Sequence, residues 1–310
     1  MSVIDHDLII IGGGPAGLTA ALYAARARLD VLVLEKSLLG GQVLITDWID
    51  NYPGFPEGIA GPELSRRMAD QVARYDVPIV AEEVVSADLG GPVKRLRLPE
   101  REICARAVIV ASGASPRQLG VPGESDFFGK GISTCATCDG PFYRGKTVAA
   151  VGGGDTAVKE SVFLAKFAEK VYLIHRRDQF RAERVLQEKA FANDRIEILW
   201  DSVVTGVSGL TRAESVHLRN LRTGESRSLN VAGLFIWIGV RPNTGFLGNQ
   251  LENDPFGFLS VDSRMAASLP GVFAAGDVRV TPMRQIATAV GDAAIAAHAA
   301  QTYLENLSDS

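Results

Sequence analysis

A chain of 310 residues, 46% hydrophobic and 22% charged, has room for roughly two domains and the ordinary balance of a soluble globular protein. A formal net charge of −4 singles out neither nucleic acid nor an anionic membrane as the main partner. Three cysteines, Cys104, Cys135 and Cys138, are too few for a secreted disulfide scaffold.

The N-terminus, MSVIDHD, carries Asp5 and Asp7 and no basic segment, so no secretory signal is read there and a cytoplasmic location is expected. The run LIIIGGGPAGLTAALYAA (8–25) has the length of a membrane span, but three glycines and Pro15 divide it into a strand and a helix. With DVLVLE (30–35) after it, this reads as a βαβ unit. Its turn, GGGPAG, supplies GxGxxG as Gly12, Gly14 and Gly17, with Pro15 and Ala16 between the last two. Gly12 permits the tight turn, Gly14 lets the backbone approach a pyrophosphate, and Gly17 allows close helix–strand packing. The helix N-terminus then offers unpaired N–H groups to phosphate. Glu35 ends the next strand, 18 residues after Gly17. A carboxylate there accepts from ribose hydroxyls and repels a 2′-phosphate, so the site suits FAD or NAD.

Residues 87–115 place turn residues between short β-rich runs and read as a small antiparallel insert returning to a buried strand. Cys104 precedes the apolar run AVIVA and is expected to be a buried small hydrophobe without chemistry. STCATCDGPFY (133–143) then sets Cys135 and Cys138 two residues apart, followed at once by Asp139. That spacing can serve a metal, a structural disulfide or a redox dithiol. Zinc wants about four ligands, and no second CxxC or HxxxH supplies them. A two-residue loop constrains little of the unfolded chain. The redox dithiol is the favoured reading, because CxxC motifs can lower one thiol's pKa. Asp139 could carry a proton to or from a departing thiolate; the competing reading is a turn residue in Asp-Gly-Pro.

KTVAAVG (146–152) begins a second strand–turn–helix pattern, with GGGDTA (152–157) as the turn, a helix over 155–169, and VYLIH (171–175) as the next strand. Gly152, Gly154 and Ala157 hold the three turn positions, with Asp155 and Thr156 between the last two. The strand ends in HRRDQFRAER. His175, Arg176, Arg177 and Arg181 therefore put cations where the first unit has Glu35. Guanidinium groups suit phosphate, so this end reads as NADP-selective. The alternative is a solvated basic surface, since Asp178, Glu183 and Glu188 lie nearby. Strand-like runs follow through GLFIWIG (233–239) and VFAAGDV (272–278), and 284–305 is an alanine-rich helix.

In combination and order, GGGPAG (12–17), GGQ (40–42), NYPG (51–54), ASGA (111–114), CATCDG (135–140), GGGDTA (152–157), HRRDQFRA (175–182), AAGD (274–277) and RQ (284–285) resemble the low-molecular-weight, bacterial-type thioredoxin reductases over nearly the whole chain. The resemblance implies an α/β fold of two Rossmann-like, three-layer ββα domains. The NADPH domain (116–244, carrying the CxxC) would be inserted between two segments of the FAD domain (1–115 and 245–310). It implies that FAD is held by Gly12, Gly14, Gly17, Glu35, Gly40, Gly41, Gln42, Asn51, Gly113, Gly276 and Asp277, with Arg284 and Gln285 near the flavin. NADPH would be held by the second turn and its arginines. Cys138 would face the flavin, Cys135 would exchange with the partner, and Asp139 would be the proton donor and acceptor.

The expected function is thus electron transfer from NADPH through FAD and the Cys135–Cys138 pair to oxidised thioredoxin. A homodimer is implied, with rotation of one domain on the other about hinges near Ser115–Gln118 and Arg241–Gly245. Rival readings are a flavin reductase of a glutaredoxin-like or small disulfide, one drawing electrons from NADH or ferredoxin, and a non-enzymatic flavin redox sensor. Ser112 stands where many members have Thr, and Asp155 where some have Asn; neither change removes a needed group.

Overall fold

The computed structural model describes residues 4–46, 48–49 and 51–308; Met1–Val3, Asp47, Asp50 and the last two residues lie outside it. The chain forms two compact units, Met1–Ser115 with Arg241–Ser310, and Pro116–Val240, and crosses between them at 115–116 and 240–241.

In the first unit the apolar run His6–Ile11 becomes a strand flanked in parallel by Val31–Leu34 on one side and Glu102–Val110 on the other. Ile79–Val80 extends the sheet beyond Val31–Leu34, and Val272–Ala274 pairs parallel with Glu102–Val110. Lys94–Arg97 and Ser86–Asp88 add antiparallel strands at the other edge, the insert expected from the turn residues of 87–115. Alternation along His6–Ile11 sends Leu8 and Ile10 to one core and Ile9 and Ile11 to another. The first core lies under the helices Pro15–Arg26 and Ile286–Ser308, whose alanines (Ala20, Ala24, Ala293, Ala297) let the helices approach closely. The second lies under Leu89, Leu96, Leu98 and Leu259.

The second unit has a fully parallel sheet in the order Ile196–Leu199, Lys170–Ile174, Thr147–Gly152, Leu234–Trp237, Ile132–Ser133. Helices Asp155–Leu164 and Arg184–Phe191 belong to this unit. A three-stranded antiparallel sheet, Ser202–Ser208, Ser215–Asn220 and Ser226–Asn230, forms the remaining layer. Both units are α/β and Rossmann-like.

Several elements differ from the sequence reading. The helix expected over 155–169 stops at Leu164, because Ala165–Ala168 close a tighter turn and the Arg195 guanidinium donates to the Ala165 carbonyl. The final helix runs Ile286–Ser308. Gly61–Ala73 is a helix that the apolar pattern did not announce: of its side chains, Leu64, Ser65 and Val72 are buried, while Glu63, Arg66, Arg67 and Asp70 pair along its outer face. No helix among the described residues is long and apolar enough to cross a membrane.

Candidate functional site

The first glycine turn sits where His6–Ile11 hands over to Pro15–Arg26. Gly12 has φ 113°, the left-handed region that disfavours side chains. A Cβ on Gly17 would run into the Gly12 carbonyl oxygen, so the helix packs on the turn only because position 17 lacks one. Around Gly14, by contrast, a Cβ would meet nothing within 4 Å. The helix that Gly14 begins has no side-chain cap, which leaves its first-turn N–H groups for a ligand. Glu35 closes one side: its carboxylate accepts from the Gly13 N–H at 2.7 Å and the Ser37 N–H at 2.9 Å.

Residues distant in sequence gather here. The Gly40 N–H donates to the Gly13 carbonyl at 2.9 Å, and Gly41 lies against Gly14. Gly276 abuts Ala16, so close that a Cβ there would stand 3.0 Å from the alanine methyl. Its N–H donates to Asp292 at 3.1 Å, and Asp292 in turn accepts from Arg279 at 2.7 Å. Gln42 is exposed at the rim. Asn51 donates to the Gln285 side-chain oxygen at 3.0 Å across 234 residues of sequence. Arg284 lies 4.0 Å above the Phe258 ring, and its buried Nε–H has no partner among the described residues. Burial pushes the Asp277 carboxyl above its ordinary pKa, against the opposing pull of Arg284. Gly113 accepts from the Asn243 N–H at 2.9 Å, and the Asn243 side chain bonds both the Ser112 carbonyl and the Ser115 hydroxyl. The orphaned Arg284 Nε and Ser65 Oγ, the uncapped helix and the open face at Gly14 fit a large polar ligand with a pyrophosphate.

The second turn repeats the plan with different chemistry. Gly154 begins an uncapped helix and is open on its outer side, as Gly14 is. Ala157 is fully buried behind the turn, and Asp155 and Thr156 are exposed on its outer face. Beneath Gly153 lies the His175 ring, which any Cβ at 153 would strike. His175 is 6% exposed, packs against Phe180 and Trp200, and has an Nε2 without a partner. Burial pushes its imidazole below the ordinary histidine pKa, with Arg177 and Arg181 adding to that depression. The expectation that His175 contributes a cation is therefore corrected: it is a neutral floor under the turn. Arg176, Arg177 and Arg181 are exposed on the segment that follows. The uncapped helix start, the open side of Gly154 and three neighbouring guanidiniums fit a phosphorylated dinucleotide.

Cys135 and Cys138 form a disulfide in the same unit, and both are half-buried. Cys135 caps the short helix Ala136–Asp139, its sulfur accepting from the Cys138 N–H at 3.2 Å. Ser133 Oγ accepts the Cys135 N–H at 3.0 Å, and Trp237 Nε1 donates to the Thr134 carbonyl at 3.0 Å. Gly140 packs onto Leu164, Phe163 and Phe167 of the helix that starts at the second glycine turn and the turn that ends it. Asp139 follows Cys138 directly, half-buried, with its N–H on the Cys135 carbonyl at 3.1 Å. Cys104 is buried and outside the disulfide, and burial raises its thiol pKa, which disfavours the nucleophilic thiolate. Ser133, Trp237, Phe258, Asn243 and the Arg279–Asp292 pair support these sites without any motif to announce them.

The sequence pattern of the pyridine nucleotide-disulphide oxidoreductase family matches residues 6–293. The chain is 46% identical over 300 residues to a thioredoxin reductase of Mycolicibacterium smegmatis, covering 96% of each. It is 44% identical over 308 residues to a thioredoxin reductase of Peptoclostridium litorale, covering 97% of this chain and 98% of the relative. The crystal structure of thioredoxin reductase from Streptococcus pyogenes MGAS5005 superimposes with a TM-score of 0.92 at 43% identity, covering 97% of this chain and 98% of that one. A redox-competent cysteine pair, two dinucleotide turns and these matches agree: the chain belongs to the pyridine nucleotide-disulphide oxidoreductase family and, within it, to the bacterial-type thioredoxin reductases.

Proposed function

We propose that this chain is an NADPH-dependent thioredoxin-disulfide reductase, acting in the cytoplasm as a homodimer. The observation that carries the reading is the half-exposed Cys135–Cys138 disulfide, built into the unit that also holds an arginine-flanked dinucleotide turn. In this reading the unit Met1–Ser115 with Arg241–Ser310 binds FAD, and the unit Pro116–Val240 binds NADPH. Gly12, Gly14, Pro15, Ala16, Gly17, Glu35, Gly40, Gly41, Gln42, Asn51, Gly113, Gly276, Asp277, Arg284 and Gln285 hold the flavin nucleotide. Gly152, Gly154, Thr156, Ala157, His175, Arg176, Arg177 and Arg181 form the NADPH site, with Asp155 in its turn bonded to the Glu183 N–H rather than to the nucleotide.

Bound there, FAD supplies the conversion of a nicotinamide hydride into the electron pair that opens a disulfide. The chain's own residues then handle sulfur and protons. The Cys135 thiolate attacks a disulfide sulfur of thioredoxin, forming a mixed disulfide and releasing one thiolate. The Cys138 thiolate attacks Cys135 Sγ, re-forming the Cys135–Cys138 bond and expelling the second thiolate of thioredoxin. The two electrons that leave the dithiol are those that reduce the partner. Asp139 is proposed to take the proton from an attacking thiol and return it to a departing thiolate. Ser133 and the Trp237–Thr134 bond fix the backbone of the turn, so the two cysteines stay within attacking reach of each other as the bond opens and re-forms.

The test is NADPH oxidation by the purified protein with oxidised thioredoxin as acceptor. Turnover is expected with NADPH strongly preferred over NADH, and Cys135→Ser is expected to reduce it to background. Equal use of the two nucleotides, or an undiminished Cys135→Ser variant, would sink the reading.

A further inference from the structure

Arg176, Arg177 and Arg181 carry exposed side chains with no ion-pair or hydrogen-bond partner among the described residues, although Asp178, Glu183 and Glu188 share their stretch of chain. Three flexible guanidiniums gather round a phosphate cheaply only if the backbone that carries them is already fixed. Here it is fixed at several points. His175 is held from both sides, its N–H on the Leu199 carbonyl at 2.9 Å and its carbonyl taking the Ser202 N–H at 2.9 Å. Phe180 is buried against Trp200, with ring centroids 4.5 Å apart. The Arg181 N–H donates to the Gly153 carbonyl at 2.8 Å, which joins the arginine segment to the glycine turn through backbone alone.

One side chain makes the same join. Asp155, the first residue of the helix after the turn, accepts the Glu183 N–H on Oδ1 at 2.8 Å. Glu183 is the cap of the next helix, Arg184–Phe191, so this bond sets where the arginine segment ends. At that position a carboxylate favours the helix start while the turn is empty, but it repels the pyrophosphate that would use the same N–H groups. Its acceptor function is what the geometry uses; its charge is not.

We infer that Asp155 is a positioning residue for the preference for a 2′-phosphorylated nucleotide, acting through Arg176, Arg177 and Arg181 rather than on the nucleotide. This rests on the NADPH assignment of the second turn. It makes two distinct demands. Removing the acceptor lets the end of the arginine segment drift and costs affinity only where a 2′-phosphate is read. Removing the charge while keeping the acceptor costs nothing, and relieves repulsion of the phosphates.

The experiment is calorimetric titration of the holoprotein with adenosine 2′,5′-bisphosphate and with 5′-AMP at one ionic strength, taking the ratio of the two dissociation constants. The wild type is expected to prefer the bisphosphate. Asp155→Ala is expected to lower that ratio by about tenfold, the size set by one lost hydrogen bond. Asp155→Asn is expected to keep the ratio or raise it. A wild-type ratio near one overturns the NADPH reading and the inference with it. A wild type that discriminates, with an Asp155→Ala variant that does so equally well, overturns the inference alone. So does an equal loss for both ligands, which would make Asp155 a support of the whole turn, and so does an Asp155→Asn variant as damaged as Asp155→Ala.

Discussion

The two glycine turns use one backbone plan and solve opposite problems with it. In the first, the acid at the end of the second strand reaches back to the turn: Glu35 accepts the Gly13 N–H, and its side-chain carbons pack where a Cβ on Gly13 would lie. In the second, the corresponding space under Gly153 is filled by the neutral ring of His175, and the turn's carbonyl accepts from Arg181. On the proposed reading, the anionic wall rejects an extra phosphate, and the floor with arginines beyond it admits one. The turn itself is then nearly silent about which nucleotide it takes, and the proposed selectivity lies in the residues packed beneath and beside it. The third glycine position sharpens the contrast. Gly17 lies so close to the Gly12 carbonyl that no Cβ fits, whereas the second turn carries Ala157 there, fully buried.

That contrast sets the largest expected effect. Gly17→Ala forces a methyl into the Gly12 carbonyl oxygen, a backbone atom that cannot swing aside, and is expected to cost about 3 kcal/mol, at the upper end for overpacked sites. Ala157→Gly, the reciprocal change, is expected to cost only about 1 kcal/mol of helix propensity, plus some lost packing. Chemical denaturation of both variants, together with the visible absorbance of retained flavin in Gly17→Ala, measures the difference. If the two substitutions cost the same, the turns are not distinguished in this way. Next in size is Glu35→Ala, which strands the Gly13 and Ser37 N–H groups. Each bond to a charged acceptor is worth about 1.5–3 kcal/mol, but this site is part-exposed, so a flavin affinity about tenfold weaker is expected. Dialysis against a flavin-free buffer reads it. Undiminished retention would mean that Glu35 shapes nothing.

Both turns were legible in the sequence because three local signals agreed there: an apolar run, glycine spacing, and an acid or arginines at the end of the next strand. What surrounds them was not, for reasons that differ by residue. Gly276 against Ala16 and Asn51 against Gln285 are contacts between segments hundreds of residues apart, and nothing local specifies them. The family resemblance named those residues without saying that they touch. Helix Gly61–Ala73 escaped notice because the paired charged residues of its outer face, Glu63, Arg66, Arg67 and Asp70, outnumber its three buried side chains. Lys94, 1% exposed, carries a residue type that ordinarily reads as surface; its ammonium is buried because the Leu89 and Gly91 carbonyls of the preceding turn converge on it. His175 was read as a cation because its neighbours are, and only its packing shows that it is neutral.

The smallest expected effect follows from that neutrality. Burial holds the His175 imidazole below its ordinary pKa of about 6.5, so in the unfolded chain it takes up a proton that the folded chain refuses. The unfolded state then binds more protons, and stability rises with pH wherever that holds. Stability is therefore at its full value above about pH 6.5 and declines as pH falls from there toward the lower folded-state value. Asp277 has the opposite sign, since burial raises its carboxyl, but it is present in wild type and variant alike and cancels from the comparison below. His175→Phe keeps a ring under Gly153 and against Phe180 and Trp200 but cannot titrate. Urea midpoints followed by tryptophan fluorescence suit the comparison, because Trp200 and Trp237 lie in the same unit as His175. The wild type is expected to lose stability between neutrality and mildly acidic pH more steeply than His175→Phe. Parallel profiles would mean that burial does not hold the imidazole pKa down, and that the ring under Gly153 protonates in the folded chain as readily as in the unfolded one.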